Sequence, residues 1–70
     1  MTTSHLLEIL KYFKFDHLPP YLQIISEPFG KLADKMVARC ADEETSVEET
    51  LAGLRKLLEA KDCAVRAIIN

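Results

Sequence analysis

Two long stretches with apolar residues at steps of three and four, residues 20–41 and 46–69, are joined only by the short acidic run Asp42-Glu43-Glu44-Thr45. Helices joined by so few residues must fold back on one another, so the sequence predicts an antiparallel helical hairpin. In the first stretch Leu22, Ile25, Phe29, Leu32, Met36 and Cys40 form one helical face. In the second, Val47, Leu51, Leu54, Leu58, Val65 and Ile68 form the opposing seam, opened by Ser46 and Glu49 at capping-box spacing. With the turn near residues 43 and 44, Phe29 faces Leu58, Ile25 lies near Lys61 and Asp62, and Leu22 faces Val65.

Upstream, Pro19-Pro20 ends a shorter helix over residues 4–14, with Ser4 as its N-cap and Leu6, Leu7, Ile9, Leu10 and Phe13 as its buried face. Pro20 suits the first turn of the next helix, where a missing N–H costs nothing. Pro28 removes one backbone hydrogen bond and is expected to kink that helix, with Gly30 weakening it further. No strand pattern, repeat or low-complexity segment occurs, so the expected fold is all-α, one domain over residues 1–70. Hydrophobic residues make up 49% of the chain, more than three short helices hide by themselves, so a homo-oligomer is expected.

The formal charge of −2 is unevenly placed, because Asp42, Glu43, Glu44, Glu48 and Glu49 hold 5 of the 11 acids. Duplex nucleic acid is disfavoured as a partner, since gripping it needs a concentrated basic stripe. A small anion held by a few cations is compatible with this charge. No run approaches the length of a membrane span, and the start MTTSHLLEILKYF lacks the features of a signal peptide, so a cytoplasmic chain without a membrane partner is expected. There is no Gly-rich phosphate loop, no Cys-x-x-Cys or His-x-x-x-His metal pattern, and no Cys–His pair of fixed relation. Catalysis, metal and cofactor are not expected.

The hairpin gathers one group of residues at its open end. "YFKFDHLPPY", residues 12–21, places Tyr12, Lys14, Phe15, His17 and Tyr21 there, and the last helix brings Lys61 and Arg66. Lys61 occupies a seam position between Leu58 and Val65, where an ammonium must snorkel outward or meet an anion. Free N–H groups at the start of the second helix would add a positive dipole end. Aromatic rings there suit base stacking, and Lys14, Lys61 or Arg66 suit phosphate. Plainer roles compete: Phe13 and Phe15 as core or interface plugs, Tyr12 and Tyr21 as interface residues, and His17 as a local hydrogen-bonding residue. Lys61 would then pair with Asp16 or with Asp62 of a neighbouring copy. Lys14 and Lys61 are expected to add little to the core.

The run Phe13-Lys14-Phe15-Asp16-His17-Leu18-Pro19, a helix with Leu32 and Ala33, a short polar turn, and "LAGLRKLLEAKDCAVRAII" resemble the small helical-hairpin proteins of tailed phages. More specifically, residues 13–69 are similar to the hairpin domain of phage sponges that sequester nucleotide signals of the CBASS and Thoeris defence systems. The resemblance implies a compact oligomer, commonly a hexamer, that binds cyclic oligonucleotide or cyclic ADP-ribose-type ligands between protomers and releases them unmodified. Phe13, Phe15 and His17 match the family's aromatic and His elements, Pro19 its Pro element, and Leu54, Leu58, Glu59 and Ala60 its last helix. The family's C-terminal Trp-Ala-Asn run is replaced here by Cys63-Ala64-Val65, and its basic terminal residue has no clear match. A small adaptor or inhibitor that binds a host protein through an exposed apolar helix face is the alternative of a different class.

In the hairpin register Cys40 falls near the turn and Cys63 near the open end, about 24 Å apart at roughly 1.5 Å per residue, which excludes an intrachain disulfide. The melting temperature should therefore be the same with and without reductant. A large drop on reduction would overturn the register.

Overall fold

The computed structural model of the chain describes residues 2–41 and 45–69, with side chains from residue 5 onward. Helix α1 spans Thr2–Leu10 and tightens into a 3₁₀ turn over Lys11–Phe13; α2 spans Pro20–Ala41 and α3 Val47–Ile69. No strand occurs among the described residues. The long helices α2 and α3 pack on each other as a hairpin, and α1 packs against both. The expected turn at residues 43 and 44 and the acids Asp42, Glu43 and Glu44 lie outside the described residues.

The boundaries follow local chemistry. Pro19 accepts the first helical bonds of α2, from Leu22 N at 2.9 Å and Gln23 N at 3.0 Å, and Pro20 takes the first helical position, where no N–H is needed. Gln23 Nε2 reaches back to the Leu18 carbonyl at 2.7 Å, fastening the chain that enters the helix. Ser46 caps α3: its Oγ accepts from Glu49 N at 3.3 Å, and its carbonyl accepts from Thr50 N at 2.9 Å. Helix α2 runs as one element through Pro28, with Glu27 and Lys31 bridging the proline position at 2.8 Å. That pair holds the Lys31 pKa above its ordinary value, through hydrogen bonding first and charge second. At the start of the chain Ser4 is not the cap. Helix α1 spans Thr2–Leu10, so Ser4 lies within its first turn.

The core consists of Leu6, Ile9 and Phe13 from the first segment, Ala33 and Cys40 from α2, and Leu54 from α3. Phe29, Met36, Leu51 and Leu58 pack around it. Three residues assigned to buried faces point elsewhere: Leu7 is 59% exposed, Leu32 48% and Ile68 42%. On α2 the reason is a rotation. The buried row is Leu22, Ser26, Gly30, Ala33 and Cys40, mostly small side chains, and the larger Ile25, Phe29 and Met36 flank it half-buried. Small residues let a second chain segment approach the helix closely, and α1 with its 3₁₀ turn occupies that side. The register agrees with expectation where it can be read, since Met36 meets Gly53 across the pair. Both cysteines are free, Cys40 buried with its thiol on the Thr45 carbonyl at 3.8 Å, and Cys63 exposed.

The two glycines give opposite expectations. At Gly30 a Cβ would meet the Phe13 carbonyl oxygen at 2.9 Å and Phe15 ring carbons at 3.1 and 3.2 Å. A backbone oxygen cannot step aside as a flexible side chain can. Gly30→Ala should therefore destabilise by about 1–2 kcal/mol, overriding the roughly 1 kcal/mol that Ala gains in a helix. At Gly53 the near neighbour among the described residues is the flexible end of Met36, at 3.2 Å. Gly53→Ala should be neutral or stabilising by up to about 1 kcal/mol. Chemical denaturation of both variants checks the pair; equal effects would contradict the close approach at Gly30.

Candidate functional site

The chain leaves the 3₁₀ turn at Lys14, whose backbone is extended (φ −64°, ψ 141°), and then makes a tight turn closed by Leu18 N on the Phe15 carbonyl at 3.0 Å. This bend carries residues 11–18 across the open end of the hairpin, beside the last turns of α3. A cleft of about 400 Å³ lies beneath it, lined among others by Tyr12, Lys14, His17, Ser26, Lys61 and Arg66. Pockets that hold small ligands start near this size, at roughly 300 Å³. Five of the seven residues expected at a site, Tyr12, Lys14, His17, Lys61 and Arg66, thus meet at one cleft. Phe15 lies on the other side of the bend, lining a second concavity of about 410 Å³ with Leu7, Gly30 and Asp34. Tyr21 is 57% exposed on the first turn of α2 and lines neither.

The cleft is cationic. Lys11, Lys14, Lys61 and Arg66 line it against a single acid, Asp62. The four cations are not equivalent. Lys11 pairs at 3.7 Å with exposed Glu8 and stands 5.4 Å from the centre of the Tyr12 ring. Arg66 contacts the Cys63 thiol at 3.3 Å and is exposed, as is Lys14. Lys61 is the most enclosed of the four, half-buried with 11% of its side chain exposed. Its ammonium donates to the Tyr12 carbonyl at 2.6 Å, lies 3.5 Å from Asp62 and stands 5.8 Å from the Phe13 ring centre. The lysine in the seam is therefore a cap. The last turn of a helix leaves carbonyls without partners, and a cation there satisfies one of them and complements the dipole. Its acidic neighbour is Asp62 of the same chain.

Two expectations change with this geometry. The start of α2 offers few donors, since Pro20 has no N–H and the Leu22 and Gln23 N–H groups are bound by Pro19. Lys61 also contributes to the fold. The residue that sequence reasoning missed is Ser26, fully buried in α2 and at the wall of the cleft. A serine among apolar residues carries no periodic signal, and only the rotated face of α2 reveals it.

Among the described residues no group of His, Cys, Asp and Glu is placed to hold a metal ion, and no helix is long and apolar enough to cross a membrane. No family model matches the chain, and neither a curated protein nor a solved structure shows significant similarity to it.

The two lysines of the cleft should separate on mutation. Lys61→Met keeps the apolar stem but removes the cap on Tyr12, and should cost about 1.5–3 kcal/mol of stability, the range for a hydrogen bond to a charged group. Lys14→Ala, on an exposed extended residue, should change stability by less than about 0.5 kcal/mol. Urea melts of the two variants decide the matter, and equal midpoints would remove the structural role from Lys61.

Proposed function

We propose that the chain is a non-enzymatic sponge of a tailed phage, acting in the cytoplasm of the infected bacterium. It binds a nucleotide-derived immune messenger, a cyclic oligonucleotide or cyclic ADP-ribose-type signal, and keeps it from the host effector. The observation that carries this reading is the cationic cleft walled by Tyr12. Lys14 and Arg66 offer exposed charge for phosphate, and Tyr12, a residue 57% exposed, offers a ring face for a base. The resemblance of residues 13–69 to the sponge hairpin supports the same ligand class.

The ligand is taken up between subunits in this reading. One cleft with one tyrosine serves one nucleotide unit, and a cyclic dinucleotide presents two. The apolar residues left exposed support self-association: Ile24 is 73% exposed, Ile69 60% and Tyr21 57%. A hexamer is the favoured assembly. The same exposed residues favour the second reading, in which a host protein docks on them and the chain acts as an adaptor.

Native mass spectrometry of the purified chain with a panel of cyclic oligonucleotides and ADP-ribose derivatives tests both the assembly and the ligand. The expected result is a homo-oligomer retaining an unmodified nucleotide. Calorimetry should then show Lys14→Ala and Arg66→Ala weakening that nucleotide about ten- to a hundredfold, as loss of a charge-assisted hydrogen bond of roughly 1.5–3 kcal/mol requires. A monomer that retains no member of the panel would leave the adaptor reading in its place.

A further inference from the structure

Ser26 Oγ is shielded from solvent and has no hydrogen-bond partner among the described residues. Its residue has no exposed surface, yet it helps to wall the cationic cleft. A buried hydroxyl in this condition is a loss for the folded chain, since it has given up water and gained nothing. The position does not otherwise call for serine. It lies in the interior of α2, where alanine is the better helix former, and its row continues with Gly30 and Ala33. A ligand group that reaches the hydroxyl would remove the deficit.

The cleft's lining side chains differ in exposure, and the half-buried cation Lys61 is already held by the Tyr12 carbonyl and Asp62. Lys14 and Arg66 are exposed, whereas Ser26 is fully buried. A phosphate carries a charge that is costly to desolvate and needs several donors, so it belongs among the exposed cations. A single buried hydroxyl matches a group with one or two neutral polar atoms. We propose that Ser26 reads the nucleoside: its hydroxyl hydrogen-bonds a ribose hydroxyl or a base edge, while Lys14 and Arg66 hold the phosphate at the mouth. This assignment rests on the nucleotide-binding reading above and names which part of the ligand enters first. It makes Ser26 a specificity residue, because an analogue lacking the matching group would leave the hydroxyl buried and unpaired.

Calorimetry and thermal melting of the full chain and of Ser26→Ala test the assignment, with 3′,3′-cyclic GMP–AMP, cyclic ADP-ribose and inorganic pyrophosphate as probes. Ser26→Ala should weaken the nucleotide that the parent binds by about three- to tenfold, the effect of one net hydrogen bond. It should leave pyrophosphate affinity unchanged. It should also raise the melting temperature of the free protein by a few degrees, on the order of 2–6 °C, since an unpaired hydroxyl is removed from a helix. Opposite signs on stability and affinity separate a ligand-reading role from a packing role. Unchanged nucleotide affinity in a variant whose parent binds would overturn the role of Ser26 and leave the nucleotide reading standing. A lower melting temperature, or an equal loss for pyrophosphate, would likewise overturn it. If the parent binds neither nucleotide, the assignment falls, and the wider panel decides the reading beneath it.

Discussion

The approach of the Phe13 backbone to α2 at Gly30 governs how the three helices come together. A side chain at position 30 would touch the Phe13 carbonyl oxygen at 2.9 Å, so only glycine admits the first segment this far. Phe13 is consequently 2% exposed, and it lies in one cluster with Leu6, Ile9, Ala33 and Leu54. A hairpin of two helices this long has two broad faces and little interior. Laying α1 and its 3₁₀ turn along the small-residue row of α2 supplies the third wall that makes a core.

The same approach creates the cleft. Once Phe13 is fixed, the next residues must cross the open end of the hairpin to reach Pro19 and Pro20, and the turn at Phe15–Leu18 makes that crossing short. Lys61 closes it from the other side. Its hydrogen bond to the Tyr12 carbonyl ties α3 to the end of the first segment across 49 residues of sequence. A carbonyl and the carboxylate of Asp62 thus occupy the ammonium of this lysine, and the exposed positive charge at the cleft is that of Lys14 and Arg66. A residue that the sequence marked as a candidate ligand contact is a strut for the wall of the cleft.

Much of this was legible in the sequence. The hairpin followed from two periodic stretches and a short joint, the start of α2 from Pro20, and the start of α3 from Ser46. Five of seven candidate residues met at one cleft because the antiparallel register puts residues 61–66 at the open end, beside the segment that leads into Pro20. The rotation of α2 was not legible. Large apolar residues dominate a periodicity count, so Ile25, Phe29 and Leu32 outweighed a row in which Ser26, Gly30 and Ala33 are buried beside Leu22 and Cys40. A contact made through glycine and backbone leaves almost no hydropathy signal. Ser26 was hidden for the same reason, and Phe15 was misplaced relative to the cleft because the bend sends alternate side chains to opposite sides.

The charge pattern of α3 ties stability to the site. Its first turn carries Glu48 and Glu49, and its last turn carries Arg66, so both ends complement the helix dipole. The acids therefore stand at the turn end of the molecule and the cation at the open end, beside Lys14. A chain of formal charge −2 can in this way present a locally positive cleft without a basic overall composition. Local charge of this kind attracts a small polyanion at short range, whereas the acids at the far end disfavour a long one lying along the whole 38 Å molecule. The arrangement that suits the helix is also the one that confines the positive charge to the open end.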